Sequence, residues 1–376
     1  MRLFLYEMKK IFSWKLIFII VLINILIYKM MIEFDLEYFP NGSDRYDFKI
    51  EQQMIEEYGV DMDESEFLDF KATYEEKVAE ADSYLANDPK AIAVGMDSYE
   101  KFRYFDRENK EQDQYYDEIL FHSKNDFPWE LQAYEWHIAW FENEEEYLKG
   151  LITEATGNEK KRYEELLEER KFSYFTNTVT DNFRGYKSSM AIVIFLSVMI
   201  LISPIFLRDV SSNVVPLQYS SKQGRRVYKI KWFAGFFSTI ILTSALLILY
   251  LSLYSTNGTS SHFALPMYKF SNYYWYDITF LQYIIVSVIV ILLLAIVLGV
   301  LTMAISSIVH NWIALIAVQI VVAFVMIAGG VYVVVYDLMQ IKYAQGFVPS
   351  IVAIFILVTI VFTSFVYKRE QKKDIV

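Results

Sequence analysis

Six runs of this chain carry so few charges that water is the wrong solvent for them. They cover residues 16–33, 188–207, 232–253, 279–309, 312–336 and 348–367. Each is near or above the roughly 20 residues that a helix needs to cross a hydrocarbon core. Each is rich in Ile, Val, Leu and Phe, and five of the six interiors hold no charged residue. Lys29, in the first run, sits near an end and can reach the headgroups. The 55% hydrophobic content of the 376 residues would not decide the class alone, but its concentration into spans does. A backbone in lipid must satisfy its own hydrogen bonds, and no run shows strand alternation. The expected fold is therefore an all-α polytopic membrane protein with six transmembrane helices.

The first run follows a basic amino end, Arg2, Lys9, Lys10 and Lys15, as a secretory signal would. Its exit reads YKMMIEFDLEYF, with no small-residue cleavage site, so it reads as an uncleaved anchor. The chain has no Cys, which removes disulfide, thiolate-zinc and thiol chemistry.

Charge sets the expected topology. Residues 1–15, 208–231 and 368–376 carry 14 Lys and Arg, whereas the short loops 254–278 and 337–347 carry 2. The positive-inside rule places both termini in the cytoplasm and residues 34–187 outside. Residues 33–187 hold 40 acids and 18 bases, a net of −22, and the rest of the chain is +11.

About 150 residues between the first two runs suffice for one domain. Its pattern is mainly helical. Asp97 with Glu100 resembles a capping box ahead of Phe102, Phe105, Tyr115 and Ile119. Asn158 is placed to cap a helix carrying Tyr163, Leu166 and Leu167, and Pro128 fits a first turn. Dense aromatics among acids admit two readings. One is a receptor for a cationic, amphipathic ligand such as a peptide. The other is ordinary helix packing with a solvated acidic exterior.

Several chemistries are missing. There is no GxxxxGK[ST] phosphate loop and no GxSxG elbow. His122, His137, His262 and His310 show no metal-ligand spacing. No metal, resident cofactor or nucleic-acid partner is expected. Asp277 and Asp337 fall at outer ends of runs, and no acid lies mid-span. Asn24, deep in the first run, is read as a helix–helix hydrogen bond. Without intramembrane ionisable groups, ion-coupled transport lacks its usual parts, so energy must come from elsewhere.

The amino end, RLFLYEMKKIFSWK, fits a helix on the membrane surface within residues 1–15. Phe4, Met8, Ile11 and Phe12 would face lipid, and Arg2, Lys9 and Lys10 the anionic headgroups.

Between the second and third runs lies a cationic stretch, FLRDVSSNVVPLQYSSKQGRRVYKIKWFAG. It resembles the first cytoplasmic loop of ABC-2 type permeases, particularly those of low-GC Gram-positive bacteria. Asp209 takes the place of the family's acid, and Leu217, Ser220, Ser221, Gly224, Arg225 and Lys231 match the remainder, with Arg226 adding charge. The six-span layout, the basic amino end and the domain after the first span match as architecture. The family's acid is a glutamate, and Pro216 interrupts the loop helix of the pattern, so that helix either begins at Pro216 or is split. The resemblance implies a transmembrane subunit of an ABC exporter. A separate ATPase, carrying ATP and Mg, would dock on residues 208–231 and on the amino-terminal helix. A second permease subunit, identical or different, would complete the pathway, and the substrate would be a peptide or other amphipathic molecule. A re-entrant piece around Gly329-Gly330 and residues 337–347 is also implied. Two other functions stand beside this one: a non-transporting sensor or immunity protein, and a sodium or cation efflux permease.

Overall fold

The structure, a computed structural model, describes residues 2–123, 125–220, 224 and 226–372. Among them no strand is present, and extended backbone pairs only at isolated bridges such as Pro266 with Thr279. Six helices are long and apolar enough to cross a membrane, as in a multi-pass membrane protein: Trp14–Glu37, Thr178–Ser211, Arg226–Asn257, Phe280–Ile308, Trp312–Tyr336 and Phe347–Lys372. They are the first to sixth spans below. The chain divides into two compact units. The spanning unit comprises Met1–Phe39, Thr180–Gly258 and Leu281–Val376, and the second unit comprises Pro40–Val179 and Thr259–Phe280.

The second span is the centre of the spanning unit. Of its apolar window 89% is buried, against 11% for the first and sixth spans. The outer spans instead present Phe18, Leu22, Phe324, Leu357 and Val361. Such faces suit hydrocarbon, where apolar exposure costs nothing. The third and fourth spans approach closely because Gly235 and Gly299 lack side chains. A methyl on Gly235 would overlap Met303 Sδ, and one on Gly299 would overlap Thr239 Oγ1. Asn311 starts the fifth span as an N-cap, accepting from Ile313 N at 2.8 Å and Ala314 N at 3.2 Å.

Several boundaries differ from the sequence expectation. The second span begins at Thr178, not at 188, so Asp181, Arg184 and Lys187 belong to it. Hydropathy stops at charges, but helical hydrogen bonding does not. The fifth span continues from Val325 into a π-helix, Met326–Tyr336, that contains Gly329-Gly330. It is followed by turns up to Phe347, so the expected re-entrant helix is absent among the described residues. The first span also changes to π geometry over Tyr28–Ile32. Each π segment shifts the angular position of the side chains beyond it.

The second unit is built on the helices Asp44–Tyr58, Glu64–Ala86, Phe127–Glu154 and Gly157–Glu168. Asp63 and Glu66 form a reciprocal capping box at the second of these. Pro128 occupies the first turn of the third, as expected. The other two expected caps are displaced. Ser98, not Asp97, caps its helix, and Asn158 lies inside a helix that starts at Gly157. Phe102, Tyr115 and Ile119 are buried in one core with Leu85, Met96 and Leu131. Residues 259–280, of which 259–278 were expected in a loop and 279–280 in the fourth span, fold into this unit. Arg162 Nε donates to the carbonyl of Tyr274 at 2.9 Å and its guanidinium pairs with Asp277. Lys269 Nζ reaches Tyr174 Oη at 2.6 Å and Asp61 at 2.7 Å.

Candidate functional site

The cationic stretch folds as two short helices. Pro204–Ser211 ends the second span, and Val215–Ser220 follows after a turn at Asn213, whose φ is 52°. Pro216 therefore lies in the first turn of the loop helix, where its missing N–H leaves no bond unmade. The helix starts at Val215, with Pro216 as its second residue, and is not broken by it.

Asp209, 2% exposed, is where these pieces meet. Its carboxylate pairs with Lys10 of the surface helix Arg2–Ile11 and with Lys231 near the start of the third span. It also accepts from Gln218 Nε2, on the loop helix, at 2.8 Å. Lys231 Nζ donates to Gln218 Oε1 at 3.2 Å, and Arg208 donates to the carbonyl of Lys10 at 2.8 Å. Lys231 is itself buried, and its ammonium lies 5.8 Å from the Phe206 ring centroid. One carboxylate thus ties together four helical pieces. Removing it would strand a buried ammonium, which is the costly way to break such a contact.

Of the residues singled out in the sequence, Asp209, Lys231 and Lys10 converge here. The others do not. Leu217 is 71% exposed, Ser220 donates to the carbonyl of Leu217, Gly224 is a turn residue with φ 49°, and Arg226 is exposed. Ser221 and Arg225 lie outside the described residues. Gln218 was missed, since a glutamine in a polar loop carries no signal of burial.

The surface helix differs from its expected orientation. Lys10 turns toward Asp209 and not toward headgroups, and Ile11 is buried in protein. Phe4 packs edge-on against Phe237 of the third span at 5.9 Å. Arg2 and Lys9 remain exposed, Met8 is half-buried, and Phe12 falls just beyond the helix end. The exposed large apolar side chains of this helix are instead Leu5 and Tyr6.

Asn24 makes the expected interhelical bonds. It donates to Ser197 Oγ at 2.9 Å and accepts from Tyr250 Oη at 2.9 Å, joining the first, second and third spans. The helix of the second span carries ionisable groups ahead of its apolar run, which the sequence reading assigns to the segment before it. Lys187, with no exposed surface, lies inside the second span and donates to Tyr283 Oη of the fourth. Arg184, three residues earlier, lies over the Tyr336 ring and pairs with Asp181 and Asp337. Reading the domain boundary after Lys187 hid both from view.

In the second unit Glu51 is fully buried. It accepts from Thr176 N and faces His262 Nε2 at 3.2 Å. Among the described residues no group of three His, Asp or Glu is arranged to hold a metal ion.

Fold and site together define a helical, multi-pass membrane protein with a polar junction at one end of its bundle. No protein-family model, curated protein or solved structure matches the chain.

Proposed function

We propose that this chain is the permease subunit of an ABC exporter of the ABC-2 type, in a bacterial cell membrane. Both termini would be cytoplasmic and residues 34–187 extracellular, as the distribution of Lys and Arg favours. The observation that carries the reading is the Asp209 junction. A partner ATPase, holding ATP and Mg, would press on the exposed loop helix Val215–Ser220. Gln218 and Asp209 would pass that motion to the second span, Lys231 to the third, and Lys10 to the surface helix. Buried charge pairs resist independent movement of the elements they join, so the four pieces would shift as one. Beside the loop, a cleft of about 590 Å³ lined by Arg226, Tyr228, Lys229, Tyr367, Glu370 and Gln371 offers mixed charge for docking. A second permease subunit would cover part of the exposed first, fifth and sixth spans. A peptide or other amphipathic substrate would be moved.

The test is purification of the tagged chain from membranes of its native cell. An ATP-hydrolysing subunit should accompany it, and Arg226→Glu/Lys229→Glu should release that subunit while leaving the chain folded. A chain that purifies without any ATPase activity, at wild-type sequence, would end this reading.

A further inference from the structure

A cleft of about 200 Å³ in the second unit is lined by Trp136, Trp140 and Tyr147 on one side and by Phe175, Phe270 and Tyr273 on the other. The first three share a stripe of the helix Phe127–Glu154, at spacings of four and seven. Their rings touch in series, with centroids 5.1 Å apart for Trp136 and Trp140 and 4.8 Å apart for Trp140 and Tyr147. No charged side chain lines the cleft among the described residues. Asn272, 7% exposed, is part of its wall, and the side-chain carbonyl has no hydrogen-bond partner among the described residues. The Thr176 hydroxyl, also in the wall, is buried without one as well. A buried carbonyl that meets no donor costs free energy. The wall therefore combines electron-rich ring faces with an acceptor in need of a donor.

The wider field has the matching sign. The second unit holds 37 acids and 17 bases, a net of −20. An anion would meet ring faces and a negative field. A neutral apolar group would leave the Asn272 carbonyl unmet. An ammonium group on an apolar stem satisfies both requirements, through cation–π contact and donated hydrogen bonds. The cleft is smaller than the roughly 300–1,000 Å³ of sites for drug-sized molecules, and so fits a side chain or small amine.

We infer that this cleft binds a primary organic ammonium group on an apolar stem, such as a lysine-like side chain of a cationic amphipathic molecule. The inference stands on the second unit alone and goes beyond the ATPase reading. Loss of an ATPase partner would not touch it, and loss of amine binding would not touch the ATPase.

The test uses the full chain in lipid nanodiscs, with its seven tryptophans replaced by 5-fluorotryptophan and observed by fluorine NMR. Single Trp→Phe variants assign the signals. Pentylammonium should shift the Trp136 and Trp140 signals saturably and leave those of Trp14, Trp232 and Trp312 in place. 1-Pentanol, of similar length but uncharged, should bind at least about tenfold more weakly. Asn272→Leu and Tyr147→Leu should each weaken amine binding about three- to tenfold, with the other signals unmoved as the sign of an intact fold. Tyr147 is largely exposed, so that variant is available if Asn272→Leu does not fold. Absence of saturation, equal affinity for amine and alcohol, shifts shared equally by the span tryptophans, or unchanged affinity in the variants would overturn the assignment.

Discussion

Lys187 Nζ donates to Tyr283 Oη across 2.6 Å between the second and fourth spans, with Ser287 Oγ at 3.4 Å as its second acceptor. The amine also lies 4.1 Å from the Tyr283 ring centroid. No carboxylate pairs with it among the described residues, so phenol oxygen and ring face together hold a fully buried lysine. The two halves of this contact should respond differently to mutation. Lys187→Met keeps the length and removes a buried amine, so it should change stability little or raise it. Tyr283→Phe leaves the amine with only the weaker serine, and should cost about 1–3 kcal/mol. Thermal unfolding of the detergent-solubilised chain, followed by helical circular dichroism, compares them. Equal losses in both variants would show that the lysine's own packing matters more than its hydrogen bond.

Asp209 should behave as a junction. Asp209→Asn removes the carboxylate that pairs with Lys10 and Lys231, and should cost about 3–5 kcal/mol. Asp209→Asn/Lys231→Met removes the stranded ammonium as well, and should be less damaging than the sum of its two single changes. Unfolding of the four variants in a double-mutant cycle measures the coupling, and simple additivity would contradict the described contact.

The Asn24 network should also be non-additive. Asn24→Leu removes bonds to Ser197 and Tyr250, at a cost of about 1 kcal/mol, within the range for hydrogen bonds between membrane helices. Tyr250→Phe in that background should then cost almost nothing further, because its acceptor is already gone. Unfolding midpoints of the two single variants and the double variant decide this.

In the second unit, burial pushes the Glu144 carboxyl up to about 8, and the nearby positive charge of Lys269 only partly opposes it. Its ordinary value is 4.5. The folded state therefore holds this proton more tightly than the unfolded chain. Whatever stability this provides is complete below 4.5 and is lost as pH rises through about 8. Glu144→Gln should flatten that slope between these limits, by an amount on the order of a few kcal/mol at most. Hydrogen exchange of the helix Phe127–Glu154 against pH, in both proteins, reads the difference. Parallel profiles would show that Glu144 ionises freely.

The legibility of the site follows from physics that acts locally or does not. Asp209 and Lys231 stood out because they match the ABC-2 loop pattern that the cationic stretch resembles. Asn24 stood out because a strongly polar residue deep in an apolar run is costly unless paired, and its expected hydrogen bonds are present. Gln218 did not, because an amide in a polar loop is ordinary until a fold buries it. Lys187 was hidden by the habit of ending a span at its first charge. The amine cleft was visible only as a density of aromatic residues, since Asn272 and Trp140 are far apart in the chain.

By itself, the sequence determined the class. Six runs that cannot dissolve in water and must satisfy their own backbone leave only membrane-crossing helices, and that constraint acts on each run separately. A local rule also set the Pro128 helix start, whereas the place of Pro216 in a first turn was settled only by the fold. Only tertiary structure decided which polar residues are buried together. Lys10 meets Asp209 across 199 positions, and Lys187 meets Tyr283 across 96. It likewise drew residues 259–278 out of an apparent loop and into the second unit. Such pairings depend on which helices pack side by side. Packing is a sum over many weak apolar contacts, none of them written in the residues that finally share a proton or a charge.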